Sequence, residues 1–511
     1  MKEFLGIELG STRMKAVSID ETGQTCQSGD YSWESTLENG VWTYDLSQAV
    51  EGLRTALAGI EHPERIAACG ISGMMHGYLV FDKNWNLLAP FRTWRNTMTA
   101  KASEEMSALL CANIPQRWSI AHLYQALLNK EEHINKVAHI TTLSGYMHYL
   151  LTGENVVGLG EASGMFPVDS DTLDFDAHKM QLAQAHFTEK GASFNVREVF
   201  PKVLPAGTLA GRLTEQGAEL LRNRFPVGLP FVAPEGDAAT GMVATNAVAE
   251  RTGNISAGTS IFAMVVLEKA LQKVYEEIDI ITTPTGKQVA MVHCINCSGE
   301  SNLWVKLFKE VAALFGTSPS TGELFTKLYL HSLEGDGDCG GVLSCNYLAG
   351  EHIPHLNSGV PMVAKKLGAH FTLANFMRSQ LYASIATLKI GMEILEQEKV
   401  QIDRLTGHGG LFKTPGVMQR YLASALNTNI SVMETAGEGG AYGMALLAAY
   451  LLQSKENESL EDFLNRFAFA NAKIQSMAPE ASLRTDFLHY MDDFKNLLNV
   501  ERCAVKTLNR Q

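Results

Sequence analysis

The chain has 511 residues, 46% of them hydrophobic and 19% charged, with a net charge of −13. That length exceeds one ordinary core and predicts two or three domains of globular composition. The negative balance, with no long Lys/Arg run, argues against nucleic acid or an anionic membrane as the main partner.

The first apolar run is broken by charge within a few residues of Met1, unlike a signal peptide. The longest apolar stretch, residues 443–452, is about half a membrane span. A cytoplasmic protein with no membrane partner is expected. The 8 cysteines are irregularly spaced and suggest no disulfide framework. Cys294-Ile295-Asn296-Cys297 has CxxC spacing but no second Cys or His pair, so free thiols are expected there.

In chain order, Gly6-Ile7-Glu8-Leu9-Gly10-Ser11-Thr12-Arg13-Met14-Lys15-Ala16-Val17-Ser18-Ile19 predicts two strands around a Gly-Ser-Thr turn. Gly10 permits a backbone conformation closed to other residues. The hydroxyls and amides of Ser11 and Thr12 can form a nest for phosphate oxygens, with Lys15 adding positive charge. An ordinary surface hairpin has the same pattern. A helix is predicted over residues 46–60, capped by Asp45 or Ser47, and a buried strand over 65–72. The strand enters the loop Gly73-Met74-Met75-His76-Gly77, and Trp94-Arg95-Asn96 follows beside aromatic residues. Residues 97–155 are predicted largely helical, with a polar, small-residue loop at 161–165. A short strand at 229–233 runs into Pro234-Glu235-Gly236-Asp237 and then a helix to about 247.

The second half opens with Gly253-Asn254-Ile255-Ser256-Ala257-Gly258-Thr259-Ser260, which repeats the first hairpin's design. Gly258 lies 248 residues after Gly10. Two such hairpins, one opening each half, suggest two similar domains gripping a polyphosphate between them. A long helix is predicted over 372–399, a strand at 404–406 entering Gly407-His408-Gly409-Gly410-Leu411-Phe412-Lys413-Thr414, and a helix over 417–426. Glu438-Gly439-Gly440 opens a helix at 444–452, and residues 454–511 are a mostly helical tail without a chemical motif. The class is α/β with mixed sheets. The P-loop pattern is absent.

The two hairpins, Gly236-Asp237, Gly350-Glu351-His352-Ile353-Pro354-His355, the late Gly-Gly loop and the last helix start occur in a characteristic order. Together, over roughly residues 3–455, they resemble the FGGY family of carbohydrate kinases within the actin/Hsp70/sugar-kinase superfamily. The resemblance implies two ribonuclease H-like (actin-like ATPase) domains, residues 1–248 and 249–511, with mixed sheets flanked by helices. MgATP and a small-molecule sugar would meet in an interdomain cleft. Ser72-Gly73-Met74-Met75-His76-Gly77 looks most like a xylulokinase loop, which makes a pentulose such as D-xylulose or L-ribulose the nearest analogy.

Under that resemblance Asp237 is the catalytic base, because phosphoryl transfer to a hydroxyl needs a carboxylate to take its proton. A plain helix N-cap is the structural alternative. Glu8 stands where the family usually has the Asp that helps hold Mg²⁺, so Glu8 and Asp237 are the metal candidates. Gly10, Ser11, Thr12, Lys15, Gly258, Thr259 and Ser260 would bind ATP phosphates, and Gly409, Gly410, Leu411 and Thr414 the adenosine side. Met75, His76, Trp94, Arg95, Asn96 and Glu235 would line the sugar. Where relatives have Trp-x-Asp-x-Arg patterns this chain has Trp94-Arg95-Asn96-Thr97-Met98. Glu351, His352, His355 and residues 296–300 would line the second domain's side. Alternatives are a kinase for another polyol, hexulose or sugar acid (glycerol, erythritol, gluconate), or a catalytically silent nucleotide-binding sensor. A homodimer is compatible with the sequence.

Overall fold

Strand β1 (Glu3–Leu9) alternates its side chains between two buried faces, and that alternation organises the first half of the chain. Leu5, Ile7 and Leu9 join the core that contains Leu53 and Leu57 of the helix Leu46–Ala58. Each such buried side chain contributes about 1.5–3 kcal/mol. Gly6 and Glu8 face the helix Gly439–Gln453. A Cβ on Gly6 would meet the Ala441 carbonyl at 2.0 Å, so only glycine lets that helix lie on the strand. Asp45 caps the helix Leu46–Ala58 by accepting from the Ser47 N–H.

The computed structural model describes residues 2–433 and 439–508; Glu438 of the expected helix start lies outside them. The chain packs as two compact units. One comprises Met1–Glu250, Asp279–Val289 and Glu438–Ala472, the other Arg251–Ile278, Ala290–Gly437 and Lys473–Gln511. Among the described residues no helix is long and apolar enough to cross a membrane.

In the first unit β1 is antiparallel to β2 (Arg13–Ile19), which is antiparallel to β3 (Thr25–Ser32). On its other side β1 is parallel to β4 (Ile66–Gly73). Beyond β4 lie β5 (Leu209–Arg212) and β6 (Pro230–Val232), giving the order β5-β6-β4-β1-β2-β3, and β7 (Glu235–Gly236) also pairs with β4. In the second unit β8 (Thr252–Ala257) is antiparallel to β9 (Ile261–Val266) and parallel to β11 (Arg404–His408). With β10 (Gln288–Cys294), β12 (Asn429–Met433) and β13 (Ile474–Met477), six of the sheet's seven strands run β10-β9-β8-β11-β12-β13, and the seventh, Asp279–Thr282, lies at the edge beside β10. Each sheet therefore sets a hairpin beside a parallel strand that arrives later in the chain. This is the repeated α/β architecture with mixed sheets that the sequence predicts.

A division at residue 248 puts residues 279–289 and 438–472 in the second half, whereas packing groups them with the first unit. The reason is long-range contact. Arg117 pairs with Asp279, Asn113 Nδ2 donates to Asp279 Oδ1 at 3.1 Å, and the Thr282 N–H donates to Ser163 Oγ at 3.0 Å. The helix Gly439–Gln453 is apolar nearly all round and lies against β1. The stretch expected to be largely helical resolves into the helices Ala100–Leu110, Ser119–Leu128 and Leu143–Thr152, with a short strand at His139–Thr141.

Candidate active site

The C-terminal ends of neighbouring parallel strands bring chemistry together in the first unit. Glu8 on β1 and Glu235 on β7 both pair in register with Ser72 on β4. In an open α/β sheet this is the end at which ligands bind. Asp237 follows β7 as the first residue of the helix Asp237–Ala244, with Gly236 in the N-cap position. Asp237 is thus a first-turn carboxylate rather than the cap. Thr240, one turn along, shares a 2.8 Å hydrogen bond with the Ser72 hydroxyl and locks the helix to the strand.

The Asp237 carboxylate accepts from its neighbour's amide, Ala238 N–H, at 2.9 Å and from the backbone N–H of Met75. Burial pushes its pKa up to about 6, against the pull of those amides. Glu8 accepts from the Ala441 N–H at 3.2 Å, at the start of the helix Gly439–Gln453. Burial and then the Asp237 charge push Glu8 up to about 7, opposed by the Ala441 amide and by Lys15, its partner across the β1–β2 ladder. The Asp237 charge acting on Glu8 puts the two carboxylates in one electrostatic neighbourhood, which a cation would relieve.

Met75 and His76 close over this region. A Cβ on Gly236 would meet the Met75 side chain at 2.2 Å, so the loop lies tightly on the segment before Asp237. His76 takes a left-handed backbone conformation (φ 71°), and its Nδ1 is 3.1 Å from the Gly164 carbonyl. Its ring stacks with Trp118 at 6.4 Å.

Four residues expected at the sugar, Glu235, Asn96, Arg95 and Trp94, have partners within the protein. Glu235 is fully enclosed, with Oε2 accepting from the Glu161 N–H at 2.9 Å. Burial pushes Glu235 up to about 8. Beneath it Glu161, also fully buried, is held well above the usual carboxylate range by burial and by the Glu235 and Asp237 charges. Asn96 is buried, and its amide is spent on the backbone: Oδ1 accepts from Trp42 N–H at 2.9 Å and Nδ2 donates to Trp42 O at 2.8 Å. Arg95 stacks over Trp42 at 3.7 Å and donates to Ser35 Oγ at 2.8 Å. Trp94, 39% exposed, donates from Nε1 to Ser11 Oγ at 3.1 Å.

The first turn is built from Gly10 to Arg13. The Gly10 N–H donates to Arg13 O at 3.0 Å, leaving Ser11 and Thr12 at the tip. Gly10 does not use a left-handed conformation, contrary to expectation; a Cβ there would instead meet the Arg13 carbonyl at 2.8 Å. All three turn carbonyls are held by the protein. Gly10 O accepts from Trp33 Nε1 (2.7 Å), Ser11 O from the Tyr44 hydroxyl (2.6 Å) and Thr12 O from Trp33 N–H (3.1 Å). Because a trans peptide points its N–H opposite its carbonyl, the amides of Ser11, Thr12 and Arg13 point away from those partners.

The second unit carries an analogous turn. Gly258 N–H donates to Ser260 O at 2.9 Å, with Thr259 at the tip. Gly258 O accepts from Ser298 N–H (3.1 Å) and Thr259 O from Cys297 N–H (3.0 Å), so the Thr259 and Ser260 amides are directed away. The loop after β11 has Gly409 at φ 100°, where a Cβ would meet the Ala257 carbonyl at 2.5 Å. Gly410 opens the one-turn helix Gly410–Lys413. Leu411 and Thr414 are buried, whereas Gly409, Gly410 and Lys413 are exposed. Cys294 and Cys297 are buried free thiols. Glu351 Oε2 accepts from Asn296 N–H at 3.0 Å and Nδ2 at 3.1 Å, so these two residues brace the loop around Pro354. His355 Nε2 lies 3.7 Å from Glu277 in an ion-pair geometry.

Sequence reasoning did not single out Glu161 or Thr240, and named Ser72 only as the start of the loop that carries His76. Only Thr240 had a local signal, a hydroxyl one helical turn after Asp237. Glu161 is brought to Glu235 by packing across 74 residues.

The N-terminal domain model of the FGGY family of carbohydrate kinases matches residues 4–244, and the C-terminal domain model of the same family matches residues 253–452. Xylulose kinase of Lactococcus lactis subsp. lactis (strain IL1403) is 24% identical over 468 residues, covering 88% of each chain. The ligand-bound xylulose kinase structure from Lactobacillus acidophilus matches with a TM-score of 0.81 at 15% identity, covering 99% of each chain. A gluconate kinase structure from the same organism matches with a TM-score of 0.80 at 15% identity, over 98% of each chain. The likeness to these two structures is one of fold and does not separate their substrates.

Proposed function

The chain belongs to the FGGY family of carbohydrate kinases, and from that membership we propose that it transfers the γ-phosphoryl group of ATP to a pentulose, D-xylulose before L-ribulose, with Asp237 as general base. The observation that carries the role of Asp237 is its placement. It stands at the strand-end row, at the first turn of a helix, with its carboxylate oriented by the Ala238 and Met75 amides. A base near pH 6 is largely ionised at neutral pH and still accepts a proton as a sugar hydroxyl becomes an alkoxide. The hydroxyl oxygen forms its bond to the γ-phosphorus, the bond to the ADP oxygen breaks, and the hydroxyl proton passes to Asp237.

Phosphoryl transfer depends on donors fixed in advance around the phosphate oxygens. The outward amides of Ser11 and Thr12, and Lys15 behind them, supply such donors on the first unit; those of Thr259 and Ser260 supply them on the second. His76 and Met75 are the sugar-side residues this reading retains. The choice of D-xylulose draws support from full-length relatives named xylulose kinase, such as that of Lactococcus lactis.

Glu8 and Asp237 fit a Mg²⁺ that arrives with the nucleotide. Among the described residues no group of three or more His, Cys, Asp or Glu side chains could hold a metal by itself. Mg²⁺ is ordinarily bound by one or two carboxylates together with waters and phosphate oxygens, and the mutual repulsion of Glu8 and Asp237 favours a cation there. When bound it would neutralise charge developing on the phosphates.

The test is ADP release, measured by a coupled assay, across D-xylulose, L-ribulose, glycerol, erythritol and gluconate. D-xylulose is expected to give the highest kcat/KM. Normal ATP binding with no sugar-dependent ADP release would overturn the reading.

A further inference from the structure

Trp94 was expected at the sugar, yet its one hydrogen-bonding group is turned to the phosphate turn. Its indole N–H donates to Ser11 Oγ at 3.1 Å. Indole nitrogen is a donor only, whereas a serine hydroxyl is one donor and two acceptor lone pairs. Accepting from Trp94 therefore leaves Ser11 with its own O–H proton directed elsewhere. The Ser11 carbonyl is held independently by the Tyr44 hydroxyl at 2.6 Å. Tyr44 packs on Trp33 at 4.2 Å between ring centroids, and Trp33 Nε1 holds the Gly10 carbonyl at 2.7 Å. Three aromatic donors thus occupy acceptor sites on Gly10 and Ser11. What the tip presents outward is N–H and O–H, suited to an anion.

We infer that Trp94 is a positioning residue for ATP: by occupying an acceptor site of Ser11 Oγ it turns the Ser11 hydroxyl into a fixed donor to a phosphate oxygen. The inference rests on the reading of the Gly10–Arg13 turn as a phosphate site. It also ties the loop that carries Trp94 to that turn. Asn96 and Arg95 anchor the loop on Trp42 and Ser35, so Trp94 is delivered to Ser11 from a braced segment.

The experiment is steady-state kinetics on Trp94→Phe, Ser11→Ala and the double variant, with KM for ATP and for D-xylulose measured separately. Phenylalanine keeps an aromatic ring and removes the donor. Trp94→Phe is expected to raise KM for ATP or lower kcat by about threefold to tenfold, the worth of one hydrogen bond, with KM for D-xylulose unchanged. The double variant should match Ser11→Ala alone, because the two residues act through one bond. A raised KM for D-xylulose with unchanged ATP parameters in Trp94→Phe would make Trp94 a sugar contact and overturn the inference. So would additive effects in the double variant when Ser11→Ala is itself impaired toward ATP. Unaltered ATP kinetics in Ser11→Ala would overturn the parent reading of the turn.

Discussion

The two glycine-hydroxyl turns share a plan and differ in what surrounds it. Each begins a sheet-forming hairpin, and each turns its carbonyls into the protein and its tip amides away from those partners. The first has a two-residue tip gripped by aromatic side chains, Trp33, Tyr44 and Trp94. The second has a single residue at its tip and is gripped by the backbone of Cys297 and Ser298, at the start of the helix Gly299–Leu314. Sterics differ too. A Cβ at Gly10 would press on the Arg13 carbonyl at 2.8 Å, whereas at Gly258 the nearest atom would be 4.0 Å away. Two residues before the glycine the first hairpin has Glu8 and the second Ser256. The difference is one of composition: both turns direct amides away from their carbonyls' partners, and only the first has a carboxylate two residues before its glycine.

The largest test of that asymmetry exchanges the acid. Glu8→Gln is expected to lower kcat roughly 100-fold and to raise the Mg²⁺ concentration needed for half-activity, because one of two carboxylates at the cation position is lost. Ser256→Ala, at the matching place, is expected to change kcat by less than about threefold. Equal losses would break the comparison. Acidity is the second test. Asp237 must be ionised to accept a proton, and its pKa lies at about 6. A bound cation favours the ionised carboxylate, so kcat/KM should be flat above about pH 6 and fall about tenfold per pH unit below a midpoint that moves down as Mg²⁺ is raised. A midpoint that does not move with Mg²⁺ would separate the titrating base from the cation position.

The third test concerns stability. Glu235 is pushed from its ordinary 4.5 to about 8 in the folded protein, so folding favours its protonated form. Its contribution is fully present below 4.5 and is lost as pH rises through 8. Glu235→Gln should therefore flatten the fall in stability between those values, by a few kcal/mol, in urea titrations at pH 5 and pH 8. An unchanged pH dependence would contradict a buried, proton-bearing Glu235. The smallest effect is expected from Trp33→Phe, which removes the donor to Gly10 O. It should cost about 1–2 kcal/mol of stability and a few-fold in KM for ATP.

Much of this molecule is legible locally. The helix Val417–Leu426 and the long helix expected over 372–399 are both found, the latter as Leu373–Gln397 with Thr372 as its N-cap. The pairing Leu9–Met14 across the first turn follows from strand alternation. Asp237 at a strand-to-helix junction also follows from adjacent residues. What escaped the sequence depends on partners distant in the chain. Asn96 was placed at the sugar by its position in the family's Trp-x-Asp pattern, yet Trp42, 54 residues earlier, takes up its amide. Leu411 and Thr414 stand in a glycine-rich loop but are buried. Glu235 seemed poised at the site, and the Glu161 amide draws its carboxylate inward. Assignment of residues 279–289 to the first unit rests on Asp279 meeting Arg117 across 162 residues, which no local pattern encodes.

The central claim is that Asp237 is the base of an ATP-dependent sugar kinase. Its most direct test is ADP formation with D-xylulose by the parent and by Asp237→Asn, side by side, with ATP affinity measured in both. The account predicts sugar-dependent ADP formation by the parent, reduced roughly 100- to 10,000-fold in the variant with ATP affinity nearly unchanged. Undiminished sugar-dependent turnover in Asp237→Asn would contradict it.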